Sequence, residues 1–172
     1  MNKKLFYYTL CGIFLTAAAG TLLHFAYAFS RHNPLVGLFV PVNESTWEHM
    51  KLVFFPAFTY VLLGWPFFFR SRPLFFGAFL TGLLTGTFAV PVIFYTYTGI
   101  LGFHCLFLDI LTFLAGVLLV FCLGFQLVVQ ESRLLPVPFL VFLTVTLLVC
   151  FFLFTNMPPD VALFHDFPVG KS

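Results

Sequence analysis

Most side chains in this sequence that could perform acid–base or ligand chemistry fall in one short segment and at three isolated positions. The polar segment, residues 43–51, has the sequence N-E-S-T-W-E-H-M-K and lies between two long hydrophobic runs. The isolated residues are His24, His104 and Asp109, each within a hydrophobic run. Carboxylates and imidazoles are common general acids and bases, and both bind metal ions. The sequence therefore predicts where a site lies without specifying its reaction.

The composition indicates that these polar residues belong to a membrane protein. Of 172 residues, 61% are hydrophobic and 8% are charged, whereas a soluble domain has roughly 25% charged residues. The 28 phenylalanines exceed what one small core can bury, so we expect many of them to face lipid. The net charge of +2, without a basic run, argues against nucleic acid as a partner.

Five hydrophobic runs are long enough to cross a bilayer, which requires about 20 mostly apolar residues. Because backbone in lipid must satisfy its own hydrogen bonds, we predict an all-α, polytopic membrane protein, a bundle of five transmembrane helices. A single integral-membrane domain would cover residues 1–172. The predicted spans are residues 5–29, 52–69, 74–95, 100–129 and 135–154, with an outer tail at 155–172.

The basic residues next to these spans predict the orientation of the chain, because Lys and Arg favour the cytoplasmic side. Five of them share one side if the N-terminus is cytoplasmic, which places the polar segment outside. These residues are Lys3, Lys4, Arg70, Arg72 and Arg133. The first run, with small residues at 17–20, also resembles a cleavable signal peptide. Its continuation to Phe29 favours a retained span.

Asp109 is the most costly polar residue at its predicted depth. A carboxylate near the bilayer centre costs roughly 2.5–3.5 kcal/mol on insertion scales, so we expect Asp109 to face the protein interior and to have a partner. A functional role is favoured, and a structural Asp bonded to Thr or Tyr hydroxyls is the alternative. His104 is five residues away, about 140° around a helix at 100° per residue, which predicts that the two side chains point apart.

The remaining polar residues provide candidates for catalysis and for substrate binding. An imidazole can act as a base or a ligand, and a carboxylate can orient it. The spacing E-x-x-x-E-H is not an established metal pattern, so the metal and any cofactor stay undetermined. The candidate catalytic residues are His24, Glu48, His49 and Asp109. The candidate substrate-binding residues are Asn43, Glu44, Tyr95 and Tyr97.

Much of the polar segment also has a structural explanation. Ser45 and Glu48 fit a capping box, in which the Ser45 side chain caps the helix and the Glu48 side chain accepts a hydrogen bond from the Ser45 N–H. Lys51 is expected to snorkel outward. The two tyrosines at 95–99, a predicted outer connection, would also suit an aromatic belt at the membrane surface.

Two features predict how the chain packs on itself. Gly82 and Gly86 form a G-x-x-x-G pattern, which allows two helices to approach closely. In the C-terminal tail, Phe164, Phe167 and Pro168 could fold the chain back as a lid, and an unstructured tail is the alternative.

A resemblance to a known family rests on the run P-V-N-E-S-T-W-E-H-M-K-L at 41–52. It is accompanied by Leu23-His24-Phe25, by Y-T-Y-T-G at 95–99 and by Asp109-Ile110. Together these resemble a family of small multipass membrane proteins of Gram-positive bacteria, a domain of unknown function. The resemblance covers most of the chain and implies a multipass protein of the bacterial plasma membrane. It supplies no activity, substrate or catalytic residue.

Three functions from different classes remain open. The first is an intramembrane enzyme acting at the outer leaflet on a lipid, lipid carrier or lipoprotein. The second is a transporter or substrate-binding subunit that works with another membrane protein, and the third is a structural or assembly factor. A functional site requires that Asp109, His24 and at least one of Glu44, Glu48 or His49 converge on a single cavity.

Overall fold

The computed structural model describes residues 3–68, 74–132 and 135–166, and the regular elements within them are helical. Five of the described helices are long and apolar enough to cross a membrane, which confirms that the five predicted runs are helical. Arg70, Arg72 and Arg133 lie outside the described residues. The helices are α1 (Lys3–His24), α2 (Ala26–Phe29), α3 (Pro34–Gly37), α4 (Thr46–Phe68), α5 (Phe75–Leu101), α6 (Leu106–Val129) and α7 (Val137–Asn156), followed by a 3₁₀ turn at Ala162–Phe164.

The helix ends differ from the predicted span ends where polar residues belong to the helices. Helix α4 begins at Thr46, so most of the polar segment is helical. Helix α5 continues to Leu101, and the predicted outer connection at 95–99 is therefore wrong. The chain turns instead at Gly102, whose φ of 77° is left-handed and whose N–H donates to the Thr98 carbonyl at 2.8 Å. Glycine adopts this conformation without the steric cost of a side chain.

The most extensive contact between two described helices is that of α5 with α6, and it depends on small residues. A Cβ added at Gly82 would overlap the Val120 carbonyl oxygen, and one at Gly86 would overlap the Gly116 carbonyl oxygen. The relationship is reciprocal, since a Cβ at Gly116 would lie 2.9 Å from the Gly86 oxygen. The prediction that Gly82 and Gly86 face another helix is confirmed, and the two backbones pack against each other directly.

The long helices alternate in direction, which gathers five helix ends at one end of the bundle. We call this the polar end. It contains the C-terminal ends of α1, α5 and α7 and the N-terminal ends of α4 and α6. Contacts between the helices hold this arrangement, with α1 packed on both α4 and α6. The candidate catalytic and substrate-binding residues consequently lie at the polar end.

The described part of the C-terminal tail folds back over the start of α4. The Trp47 ring lies 4.9 Å from the Phe164 ring and 4.9 Å from the Phe151 ring, measured between centroids. Ser45 and Asp166 form an isolated antiparallel bridge. Of the residues predicted to fold the tail back, Phe164 makes the contact, while Phe167 and Pro168 lie outside the described residues.

Candidate functional site

A cavity of about 210 Å³ lies at the polar end between α1, α4, α5 and α6. It reaches the protein surface at Glu44, whose side chain is 63% exposed. Its walls are divided between polar and apolar side chains. The polar lining residues are His24, Glu44, Thr46, His49, His104, Asp109 and Thr112. The apolar lining residues are Leu52, Val90, Phe94, Leu106 and Phe113.

The first polar cluster of the cavity consists of His24, Glu44 and His49. His24 lies in the last turn of α1, His49 in the first turn of α4, and Glu44 just before α4. The Nε2 atom of His49 is 3.4 Å from Oε2 of Glu44, and the two imidazole centroids are 5.2 Å apart. One ligand atom from each of the three side chains lies within 4.8 Å of the other two. These three residues could hold a metal ion.

The turn before α4 determines how His49 is oriented. The Ser45 hydroxyl accepts the Glu48 N–H at 3.4 Å, as the predicted cap requires, and Asn43 Oδ1 accepts the Ser45 N–H at 3.1 Å. His49 Nδ1 lies 2.9 Å from the Ser45 carbonyl oxygen. Because a carbonyl oxygen only accepts, this contact places a proton on Nδ1. The other ring nitrogen, Nε2, is the one directed at Glu44.

The pKa of the Glu44 carboxyl lies below its ordinary value. The hydrogen bond with His49 is the main cause, and partial burial acts in the opposite direction. Glu44 is therefore a carboxylate at neutral pH and provides a negative charge at the mouth of the cavity.

The second polar cluster consists of Tyr97, His104 and Asp109. The Asp109 carboxylate accepts a hydrogen bond from the Tyr97 hydroxyl, and its Oδ2 lies 3.1 Å from His104 Nδ1. The prediction that His104 and Asp109 point apart is wrong. His104 precedes α6, and Cys105 is extended at φ −140° and ψ 146°, so angles around a helix do not apply to this pair.

Asp109 also lies closer to a helix end than its predicted span implied. It belongs to the first turn of α6, where the positive end of the helix dipole favours a carboxylate. Its side chain is 30% exposed. The expectation that Asp109 has polar partners is confirmed, and its place in the first turn lowers the cost of its charge. Both partners come from the end of α5 and the turn that follows.

Glu48 is directed away from the cavity and into a buried network. The fully buried Lys51 has its Nζ atom 2.6 Å from Glu48 Oε2, 2.6 Å from the Thr155 hydroxyl and 3.0 Å from the Gly37 carbonyl. Glu48 Oε2 also accepts the Val42 N–H at 3.0 Å. Two predictions are therefore wrong: Lys51 does not snorkel outward, and Glu48 binds Val42 rather than returning to the Ser45 N–H.

The remaining candidates occupy different positions around the site. Asn43 is exposed and stabilises the turn before α4, and it does not line the cavity. Tyr95 is half-buried beside the Phe94 ring and also lies outside the lining. Tyr97 belongs to the site through its hydrogen bond to Asp109.

Sequence reasoning missed the pairing of His104 with Asp109 and the lining residues Thr46 and Thr112. Gly102 was a usable signal for the first, because glycine often follows the last residue of a helix. A helix end at that position places His104 in the turn, where it can reach back to the first turn of α6. The threonines carry no comparable signal, because Thr is common at buried positions of apolar helices.

Comparison with known families places the whole chain in one of them. The chain belongs to a family described as a family of unknown function (DUF6512), whose model matches residues 1–172. Comparisons with curated proteins and with solved structures gave no match. The function must therefore be argued from the cavity itself.

Proposed function

We propose that this member of a family of unknown function is an integral-membrane enzyme that hydrolyses an amphipathic substrate, a lipid, lipid carrier or lipoprotein. One observation carries the proposal: a single cavity at the polar end is lined by a His–Glu–His cluster and by an Asp109–His104 pair. General acid–base catalysis needs such groups within reach of one reacting centre.

The lining residues favour water as the nucleophile. Among the described residues, the cavity lining contains no Ser, Cys or Lys, three of the side chains that form covalent intermediates in other enzymes. In our mechanism, a water oxygen attacks the carbonyl carbon or phosphorus of the substrate. The Asp109 carboxylate, oriented by Tyr97 and His104, accepts a proton from that water. The same group then returns the proton to the leaving oxygen.

The dimensions of the cavity favour a substrate that remains partly in the bilayer. Pockets that enclose a complete small molecule usually have volumes of about 300–1,000 Å³. The 210 Å³ cavity can therefore take only the reacting part of a larger molecule. Beside it, Leu106 and Phe107 are 74% and 69% exposed, and Phe103 is 57% exposed. These side chains would contact the apolar chain of the substrate.

The proposal includes a location in the cell. We place the five long helices across a bacterial plasma membrane, with the N-terminus in the cytoplasm and the polar end in the outer leaflet. Lys3 and Lys4 support this orientation because they lie at the opposite end of α1 from His24. The cavity would then be open to lipids and lipid-linked molecules of the outer leaflet.

Membranes that contain the overexpressed protein test the proposal. They should lose one lipid class, lipid carrier or lipoprotein and gain its hydrolysis product, measured by mass spectrometry. Asp109→Asn should abolish the conversion because the amide keeps the shape but loses the charge. The matched control is Asp160→Asn, since Asp160 is 97% exposed in the tail.

Two outcomes would contradict hydrolysis. Identical lipid and lipoprotein profiles in wild-type and Asp109→Asn membranes would exclude turnover by this site. A molecule that co-purifies with the protein and is not converted would indicate a substrate-binding subunit instead.

A further inference from the structure

We propose that a divalent transition-metal ion with the ligand preferences of zinc binds between His24, Glu44 and His49. Two imidazoles and one carboxylate form a ligand set found in zinc hydrolases, in which water takes the fourth position. The catalytic role of the ion rests on the proposed hydrolysis, but its binding does not. These three residues supply all the protein ligands of the proposed site.

The separations within the cluster fit one ion. Zinc lies about 2.0–2.2 Å from nitrogen and oxygen ligands, so tetrahedral ligand atoms are about 3.3–3.6 Å apart. His49 Nε2 and Glu44 Oε2 are already 3.4 Å apart. The His24 ligand atom lies within 4.8 Å of both. A small rotation of the His24 side chain at the end of α1 would complete the set.

The hydrogen bond of His49 to Ser45 determines which ring nitrogen a metal ion would bind. Nδ1 holds its proton against the Ser45 carbonyl at 2.9 Å, so Nε2 is the nitrogen left for a ligand role. Nε2 lies 3.4 Å from the Glu44 carboxylate, and a metal ion between them would take the place of the proton that otherwise makes their hydrogen bond. Metal-bound histidines commonly donate their second N–H to a backbone carbonyl, as His49 does.

His24 provides a second, independent observation. Its Nδ1 atom is buried and has no hydrogen-bond partner among the described residues. A buried polar atom without a partner costs free energy, and a bound ion or its water can satisfy it. The His24 ring is also directly beside the His49 ring, at 5.2 Å between centroids. A metal ion bound by both imidazoles would explain why the two rings lie so close together, whereas two protonated rings would repel each other.

The second polar cluster of the cavity completes the proposed centre. Asp109 is held by Tyr97 and His104, so it is available as a base rather than as a ligand. Zinc lowers the pKa of a bound water to about 7 in such sites. The metal would activate the water, and Asp109 would take the proton. Three protein ligands leave one coordination position for that water within the same cavity.

Metal binding is measured on the full-length protein, purified in detergent without a polyhistidine tag. The probes are Zn(II), quantified by elemental analysis after dialysis, and Co(II), followed by the absorption bands of a tetrahedral site. The wild-type protein should bind about one equivalent. Glu44→Gln, His24→Ala and His49→Ala should each weaken binding at least about tenfold, as even outer-shell changes do.

Two choices keep the experiment interpretable. The control is His165→Ala, because His165 lies in the tail and pairs with Asp160 at 2.8 Å, away from the cavity. Its affinity should match that of the wild-type protein. Glu44→Gln is the least disruptive ligand variant, since Glu44 is mostly exposed and the amide keeps its shape. The Glu44→Gln variant is therefore expected to fold like the wild-type protein while its metal binding is weakened.

The outcomes separate the metal from the proposed function. Less than a tenth of an equivalent in the wild-type protein, or equal binding in all three ligand variants, would overturn the metal site. If lipid turnover persists without metal and is lost in Asp109→Asn, hydrolysis stands and the catalytic role of the ion is overturned. If metal binds as expected and no lipid is converted, the metal site stands and hydrolysis falls.

Discussion

Lys51 Nζ and Glu48 Oε2 lie 2.6 Å apart inside the protein, and neither residue lines the cavity. His49, the neighbour of Glu48 in sequence, lines the cavity instead. The start of α4 therefore presents two different sides. On one side, the buried Glu48–Lys51 ion pair binds α7 and the residues before α4. On the other side, His49 faces α1 and can act as a ligand or a base.

Removing one member of this pair should destabilise the protein strongly. Lys51→Met leaves the Glu48 carboxylate buried and unpaired, and such changes cost about 3–5 kcal/mol. The double variant Glu48→Gln/Lys51→Met removes both charges and should recover much of the loss. Thermal unfolding in detergent measures both, with the exposed Lys4→Met as the control. A neutral Lys51→Met would show that the pair contributes nothing to stability.

The glycine contact between α5 and α6 should not tolerate a side chain. Gly86→Ala would force a Cβ against the Gly116 carbonyl, a backbone atom that cannot move independently. Overpacking of this kind costs about 1–3 kcal/mol. Gly99→Ala on the same helix is the matched control, because nothing lies within 4 Å of its added Cβ. Equal thermal stability of the two variants would contradict the close approach of α5 and α6.

The Tyr97 hydroxyl should position Asp109 for catalysis. Once a substrate is found, Tyr97→Phe should lower kcat about 10–100-fold with little change in KM, because the hydroxyl orients a base and does not bind substrate. Tyr95→Phe is the control, since it removes a hydroxyl from the same end of α5 at a ring that packs beside Phe94, whereas Tyr97 makes the hydrogen bond to Asp109. A purely structural Tyr97 would instead lower thermal stability and leave kcat per folded protein unchanged.

The proposed orientation can be tested by labelling single cysteines in a background without Cys11, Cys105, Cys122 and Cys150. A membrane-impermeant maleimide should label Asp160→Cys in intact cells, because Asp160 is exposed at the polar end. Lys4→Cys, at the other end of α1, should react only after the membrane is permeabilised. The reverse pattern would place the cavity on the cytoplasmic side.

The sequence by itself determined the number of long helices and the end of the bundle where polar groups gather. Both follow from local properties: runs of about 20 apolar residues form spanning helices, and connected helices alternate in direction. His24, the polar segment and Asp109 are near the ends of such runs, so their common location could be predicted. The cap at Ser45 and the close approach at Gly86 could also be predicted, because each is a local pattern.

Only the tertiary structure decided which side chains face the cavity. Glu48 and His49 are adjacent, yet Glu48 binds Lys51 in a buried network and His49 lies beside Glu44 and His24. The rotation of α4 about its axis decides between them, and hydropathy cannot predict that rotation when lipid-facing and core-facing residues are both apolar. Close contacts set it instead, such as Gly20 on α1, where an added Cβ would lie 2.7 Å from the Leu52 carbonyl.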